Sequence, residues 1–174
     1  ESFFRDRVTA AEAGRYHLYV AKACPWAHRT LGVRALKGLE KAVPAFYADP
    51  YMAENGWEYA QADNPAGIRY LHELYARSGP GYTGRVTVPV LWDSRERRIV
   101  NNESSEIIRM LNSAFDAFAR RKLADLYPEK LRPQIDRLNE RVNSGDRGMD
   151  GLLDVFYTAL FTYGAGAVEL VLSN

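Results

Sequence analysis

Arg15-Tyr16-His17-Leu18-Tyr19-Val20, followed after Ala21-Lys22-Ala23 by Cys24-Pro25-Trp26-Ala27-His28-Arg29-Thr30-Leu31, is the stretch on which the fold turns. The first six residues are aromatic-rich and alternate in character, which suits a strand whose successive side chains point to opposite faces. From Pro25 to about Leu39 the apolar residues recur at helical spacing, with proline just inside the start and Lys37-Gly38 near the end. The reading is a strand, a turn carrying a cysteine, and a helix.

Working outward, residues 43–48 make a short second strand that contains Pro44 and so suits an edge. Residues 49–65 carry Gly, Asn, Asp and Pro without a period and read as a long loop, of the kind that tends to be functional. Helical spacing returns over residues 68–77 through Ile68, Leu71, Leu74 and Tyr75. After the turn Ser78-Gly79-Pro80-Gly81, residues 85–92 and 97–100 form a β-hairpin. A helix then opens near Glu103-Ser104-Ser105-Glu106, with Ser104 or Asn102 as its N-cap. The order βαβ, α, ββ, α is the thioredoxin-like α/β arrangement, assigned to residues 1–112. Residues 113–174 are expected to be a partial all-α region: helices over 115–125 and 129–142, a loop at 143–148, and an apolar stretch from 151 to 174 broken by Gly164 and Gly166.

Composition narrows the chemistry. The 174 residues are 47% hydrophobic and 26% charged, a globular balance with enough apolar surface for a core. With 23 basic against 22 acidic residues there is no general attraction to nucleic acid or anionic membrane. The cluster Arg95, Arg97, Arg98 reads as a solvated hairpin tip. No apolar run is long enough to span a bilayer, and residues 1–6 lack the features of a signal peptide, so a cytoplasmic protein is expected. A single cysteine forbids an internal disulfide. His17, His28 and His72 have no metal-ligand spacing, so no metal is expected.

Cys24 is left to explain. A lone cysteine is often buried and inert. Between a strand and a Pro-initiated helix, however, it sits where unpaired N–H groups and the positive end of the helix dipole stabilise a thiolate, the nucleophilic form. Cys24-Pro25-Trp26-Ala27 resembles the redox motif of glutaredoxins and thioredoxin-fold transferases. Extended through Leu31, it resembles the signature of the glutathionyl-hydroquinone reductases, the Cys-type xi class of the glutathione transferase superfamily. Further matching blocks are Glu54-Asn55-Gly56-Trp57, residues 84–93 (Gly-Arg-Val-Thr-Val-Pro-Val-Leu-Trp-Asp) and residues 101–112, so the resemblance spans most of residues 3–120.

The resemblance implies a glutathione site around a catalytic Cys24. Val88-Pro89 looks like the cis-proline of this fold, turning the Val88 backbone toward the cysteinyl part of glutathione. Glu103 and Ser104, at a helix start, would take the γ-glutamyl ammonium and carboxylate. Trp57 would wall the pocket, Arg85 would pair with a glutathione carboxylate, and Pro25 and Trp26 would line the mouth. Each also has a plainer reading: packing anchor for Trp57, surface arginine for Arg85, helix cap for Glu103-Ser104. His28 is expected to face solvent. Ala27 stands where a dithiol protein keeps its resolving cysteine, so the cycle is monothiol and glutathione itself must resolve it.

The implied reaction is reduction of glutathionyl-hydroquinones through a Cys24–glutathione mixed disulfide. The alternatives are a glutaredoxin-like deglutathionylase or dehydroascorbate reductase, and a non-catalytic fragment binding glutathione or a protein. Expected partners are glutathione and glutathionylated quinone-derived molecules, with a homodimer as in the family. The family also carries a full helical second domain whose tyrosines are thought to handle a proton. Residues 113–174 are too few for it, and a truncated or divergent version is expected. Residues 139–142 resemble its first long helix, while Tyr157 and Tyr163 are expected to serve packing.

Overall fold

A computed structural model describes residues 3–60, 64–121 and 125–143, with side chains described through residue 140. The chain divides into two compact units, Glu1–Leu123 and Ala124–Asn174. In the first, the strands are β1 (Tyr16–Val20), β2 (Ala45–Tyr47), β3 (Val90–Asp93) and β4 (Arg98–Asn101), and the helices α1 (Pro25–Lys37), α2 (His72–Ser78) and α3 (Ser104–Ser113). The sheet order is β2-β1-β3-β4, with β1 parallel to β2 and antiparallel to β3, and β3 antiparallel to β4. That is the thioredoxin-like domain of the sequence reading.

All five residues of β1 are buried, because the strand is central and covered on both faces. Tyr16 meets Phe115, just past α3, edge-on at 5.5 Å, while Tyr19 on the opposite face meets Tyr59 at 5.4 Å. Helices α1 and α3 pack on each other and α2 packs on β4. The outer edge of β4 is covered by the N-terminal segment: Asp6 N–H donates to Val100 O at 3.0 Å and Arg5 bridges Asn101. This disposes of an edge that would otherwise invite pairing.

Several element boundaries differ from expectation. Helix α1 stops at Lys37, where Gly38 takes a left-handed φ of 65° and donates its N–H to Ala35 O. Helix α2 begins at His72, leaving Ile68 and Leu71 as buried anchors ahead of it. The third strand begins at Val90 rather than 85, since Pro89 has no N–H to give. Just before it, both backbone groups of Thr87 are taken by the Tyr75 hydroxyl: the C=O accepts at 2.8 Å and the N–H donates at 3.2 Å. The N-cap of α3 is Glu103, not Ser104 or Asn102, and its carboxylate accepts from Ser105 N–H at 3.0 Å.

The arginine-rich hairpin tip is tied down rather than merely solvated. Arg95 pairs with Glu12, and Arg98 pairs with Asp6 and Glu96. Beneath them the Arg15 guanidinium grips Asp93, whose side chain is 3% exposed. Burial alone would raise the Asp93 carboxyl. Hydrogen bonds from Arg15 and from Glu96 and Arg95 N–H outweigh it and hold the group below its ordinary value.

The first unit continues beyond the boundary expected at residue 112. The helix expected over 115–125 is, among the described residues, only a 3-10 turn at Asp116–Phe118. Phe115 is fully buried, and seating it draws the chain out of helical register. In the second unit a 3-10 turn at Glu129–Leu131 leads into α4 (Arg132–Asn143), close to the expected helix. Tyr127 donates its hydroxyl to the Asp136 carboxylate at 2.7 Å, and Arg132 lies over the Tyr127 ring at 5.3 Å. The loop expected at 143–148, beyond Asn143, and the apolar stretch with Tyr157 and Tyr163 fall outside the described residues. No described helix is long and apolar enough to cross a membrane.

Candidate active site

Strand pairing brings the chemistry together. Tyr19 is in register with Val90, so the chain leaving β1 passes the chain entering β3 in the opposite direction. Cys24 follows the first and Val88-Pro89 precedes the second. The Val88–Pro89 peptide is cis, and the Cys24 Sγ lies 3.5 Å from the Val88 carbonyl oxygen. Cys24 is half-buried and Val88 buried.

Cys24 is itself the N-cap of α1, in extended conformation, with its N–H donating to Ala21 O at 3.1 Å and its C=O accepting from His28 N–H at 3.0 Å. Pro25, the first helical residue, has no N–H. The N–H groups of Trp26 and Ala27 have no acceptor within the helix, as helix geometry requires of a first turn. As a thiol, Cys24 gives its proton to Val88 O. The Sγ thus stands at the N-terminal end of α1, beside the Val88 carbonyl. With one cysteine in the sequence, no second thiol of this chain can resolve a disulfide formed there.

The start of α3 is joined to this helix by Arg29. Its Nε–H donates to Ser104 Oγ at 3.0 Å, its Nη2 lies 3.6 Å from Glu103 Oε1, and its guanidinium lies 4.9 Å over the Trp26 ring. Ser104 is buried, and Glu103 N–H is held by Asn101 Oδ1 at 2.7 Å. Burial pushes the Arg29 guanidinium below its ordinary value, the Glu103 carboxylate opposes this, and the Arg109 charge adds to it. Sequence reading assigned Arg29 no task. Its position within the Cys24–Leu31 motif was a signal, but its meaning depends on α1 packing against α3.

The remaining expected site residues are placed less closely. Trp57 is half-buried on the loop after β2, with its carbonyl accepting from Leu71 N–H at 3.0 Å. Arg85 is exposed and lines an open cleft with Phe3, Gly79 and Tyr82, and its carbonyl accepts from Tyr82 Oη at 2.8 Å. Among the described residues, no hydrogen bond or ion pair joins the Trp57 or Arg85 side chain to Cys24, Val88, Glu103 or Ser104. His28 is half-buried rather than solvent-facing.

Comparison with known proteins gives the family. The family described as glutathione S-transferase, N-terminal domain, matches residues 23–114. Glutathionyl-hydroquinone reductase PcpF of Sphingobium chlorophenolicum is 51% identical over an alignment of 150 positions that covers 82% of this chain and 48% of PcpF. A xi-class glutathione transferase structure from Natrialba magadii superimposes with a TM-score of 0.74 at 49% identity, covering 80% of this chain and 46% of that one. The xi glutathione transferase ECM4 of Saccharomyces cerevisiae, solved in complex with glutathione, gives 0.76 at 38% identity, covering 83% and 54%. The chain thus spans about half the length of the curated relatives it matches. Matched by the N-terminal domain family over more than half of its residues, and by PcpF over four-fifths of them, the chain belongs to the glutathione S-transferases, within the xi class that takes in the glutathionyl-hydroquinone reductases.

Proposed function

We propose that the chain carries the glutathione-handling site of a glutathionyl-hydroquinone reductase, with Cys24 as its nucleophile. The Cys24 thiolate attacks the glutathione sulfur of the substrate. A sulfur–sulfur bond forms and the aryl carbon–sulfur bond breaks. The electron pair leaves with the aryl carbon, which takes a proton and becomes the hydroquinone. The thiolate of a second glutathione then attacks the glutathionyl sulfur of the mixed disulfide, releasing oxidised glutathione and restoring the Cys24 thiolate. One glutathionyl-hydroquinone and one glutathione thiol thus give one hydroquinone and one oxidised glutathione: the aryl carbon gains the electron pair and a proton as the two glutathione sulfurs are joined.

In this reading the Val88 backbone at the cis-proline pairs with the cysteinyl residue of glutathione in strand fashion. The first turn of α3 and Ser104 receive the γ-glutamyl carboxylate, with Glu103 beside its ammonium. Trp26 and Pro25 border the mouth, Trp57 walls the pocket, and Arg85 answers a glutathione carboxylate once ligand is bound. A homodimer, as in the family, belongs to the same reading.

The observation that carries it is the placement of Cys24 Sγ at the N-terminus of α1, 3.5 Å from the carbonyl of a cis-proline segment. The test is to mix the chain with a glutathionyl-hydroquinone, follow hydroquinone release by chromatography, and look for a glutathione adduct on Cys24 by intact mass. Cys24→Ser should show neither. Turnover that survives Cys24→Ser refutes the mechanism, and activity confined to glutathione mixed disulfides replaces the thioether reaction by simple deglutathionylation.

A further inference from the structure

Tyr75 lies on α2, and its side chain meets neither Cys24 nor Glu103 by any hydrogen bond among the described residues. It is nevertheless bonded to both segments that hold them in register. Its hydroxyl donates to Thr87 O at 2.8 Å, accepts from Thr87 N–H at 3.2 Å and from Asn102 Nδ2 at 3.1 Å, and lies 3.3 Å from Thr87 Oγ1. These partners fill the one donor and two lone pairs that make up a hydroxyl's capacity. At 1% exposure, none of that capacity goes to solvent. Burial pushes the phenol above its ordinary value, so it keeps the proton that it donates.

Thr87 immediately precedes Val88, and Asn102 immediately precedes Glu103. The chain between them is the β3–β4 hairpin, whose register shifts beside Leu91, so the ladder alone does not fix the spacing at this end. Asn102 is fixed from its other side by Phe4, whose N–H donates to Asn102 Oδ1 at 3.0 Å and whose C=O accepts from Asn102 N–H at 3.0 Å. The Tyr75 ring is held by Phe4 at 5.6 Å and Tyr82 at 5.2 Å.

We propose that Tyr75 is a positioning residue: its hydroxyl ties the cis-proline segment to the start of α3 and so sets the distance between the two points at which glutathione is gripped. The inference rests on the glutathione reading above. It differs from a purely structural role in one respect. Losing the tie penalises a ligand that spans both points and spares one that touches neither.

The experiment uses two disulfides on the full chain. Oxidised glutathione presents a glutathionyl group that spans both segments; bis(2-hydroxyethyl) disulfide does not. In each, the Cys24 thiolate attacks a sulfur, forms a mixed disulfide and releases the other half as a thiolate. The second-order rate is read by intact mass. Tyr75→Phe removes all three hydrogen bonds of the hydroxyl; it should slow the reaction with oxidised glutathione about tenfold, the factor for a net loss of one hydrogen bond to the misplaced ligand, and leave the other within twofold. Asn102→Ala keeps the Tyr75–Thr87 bonds but removes the Asn102 link to Tyr75, its 3.5 Å contact with Thr87 Oγ1 and its bond from Phe4 N–H; it should slow oxidised glutathione at least as much and still spare the small disulfide, and it serves if Tyr75→Phe does not fold. Equal slowing with both disulfides, or no slowing with either, overturns the inference. A wild-type chain that does not prefer oxidised glutathione over the small disulfide overturns the glutathione reading itself, and the inference with it.

Discussion

Replacing Arg29 by methionine keeps most of the apolar stem and removes the charge and its donors. The attraction between Arg29 and Glu103 at 3.6 Å is about 4–5 kcal/mol in a protein-like dielectric before desolvation is counted. Both side chains are only 22% exposed, and burial moves Arg29 below its ordinary value in spite of that attraction, so desolvation wins. The ion pair is therefore worth little net. What is lost is the hydrogen bond to the buried Ser104 hydroxyl, about 1 kcal/mol, and the contact over Trp26, about 0.5–1 kcal/mol. Urea unfolding followed by tryptophan fluorescence should show Arg29→Met destabilised by about 1–2 kcal/mol. A loss above about 3 kcal/mol, typical of breaking a buried ion pair, would refute the ranking of desolvation over attraction. The proposed γ-glutamyl ligand carries one charge of each sign, so removing Arg29 acts on its two ends in opposite directions. The remaining effect is the freed Ser104 hydroxyl, and mixed-disulfide formation with oxidised glutathione should slow about fivefold. An unchanged rate would remove Ser104 from the glutathione site.

Two further perturbations test the scaffold. His17 is 6% exposed, with one ring nitrogen 3.0 Å from Gly14 O and Nδ1 buried without a hydrogen-bond partner among the described residues; burial pushes its pKa down. A depressed histidine contributes stability that is present above the unfolded value of ~6.5 and is lost as pH falls below it, by at most about 1.4 kcal/mol per pH unit. Unfolding free energy measured from pH 7.5 to 5 should fall more steeply in wild type than in His17→Gln, and equal slopes would show that this histidine does not couple folding to protons. Gly38→Ala combines a left-handed φ of 65° with a new Cβ only 3.1 Å from Arg120 Cβ and 3.3 Å from Arg121 Cγ, so thermal unfolding should show a loss of about 1–2 kcal/mol; an unchanged midpoint would mean that the α1 terminus relaxes without cost.

The elements legible in the sequence were those whose signal is local. Strand β1 and helix α1 announced themselves through alternation, Pro25 and Gly38, and the structure places them within two residues of expectation. What was misread depended on distant partners. Residues 85–88 have the β-branched character of a strand, yet Tyr75, twelve residues earlier, occupies the backbone groups of Thr87 that a ladder would use. Residues 115–125 have helical spacing, but burying Phe115 against Tyr16 ends the helix. The N-cap was misplaced by one position because Asn102, Glu103 and Ser104 are all plausible caps locally. Asn102 is committed to Phe4 and Tyr75, Ser104 to Arg29, and Glu103 is left to cap.

The same distinction divides the site. The placement of Cys24 at a helix start was legible because it is defined by its neighbours in sequence, and the cis peptide at Val88-Pro89 through the family resemblance of residues 84–93. Arg29 and Tyr75 were not, since their partners lie 75 residues away at Ser104 and 12 and 27 residues away at Thr87 and Asn102. They share one of the two segments: Arg29 reaches the start of α3 from α1, while Tyr75, from α2, reaches Asn102 just ahead of it and the cis-proline segment as well. A peptide-like ligand gripped at two points needs those points at a fixed separation, because an error in spacing costs hydrogen bonds at both. Local sequence can specify each grip, but the separation belongs to side chains that cross between elements. If the two ties act independently, the slowing in Arg29→Met combined with Tyr75→Phe should be the product of the single effects, about fiftyfold. A much smaller combined effect would show that either tie alone loosens the start of α3, and that the spacing is set there rather than at the cis-proline.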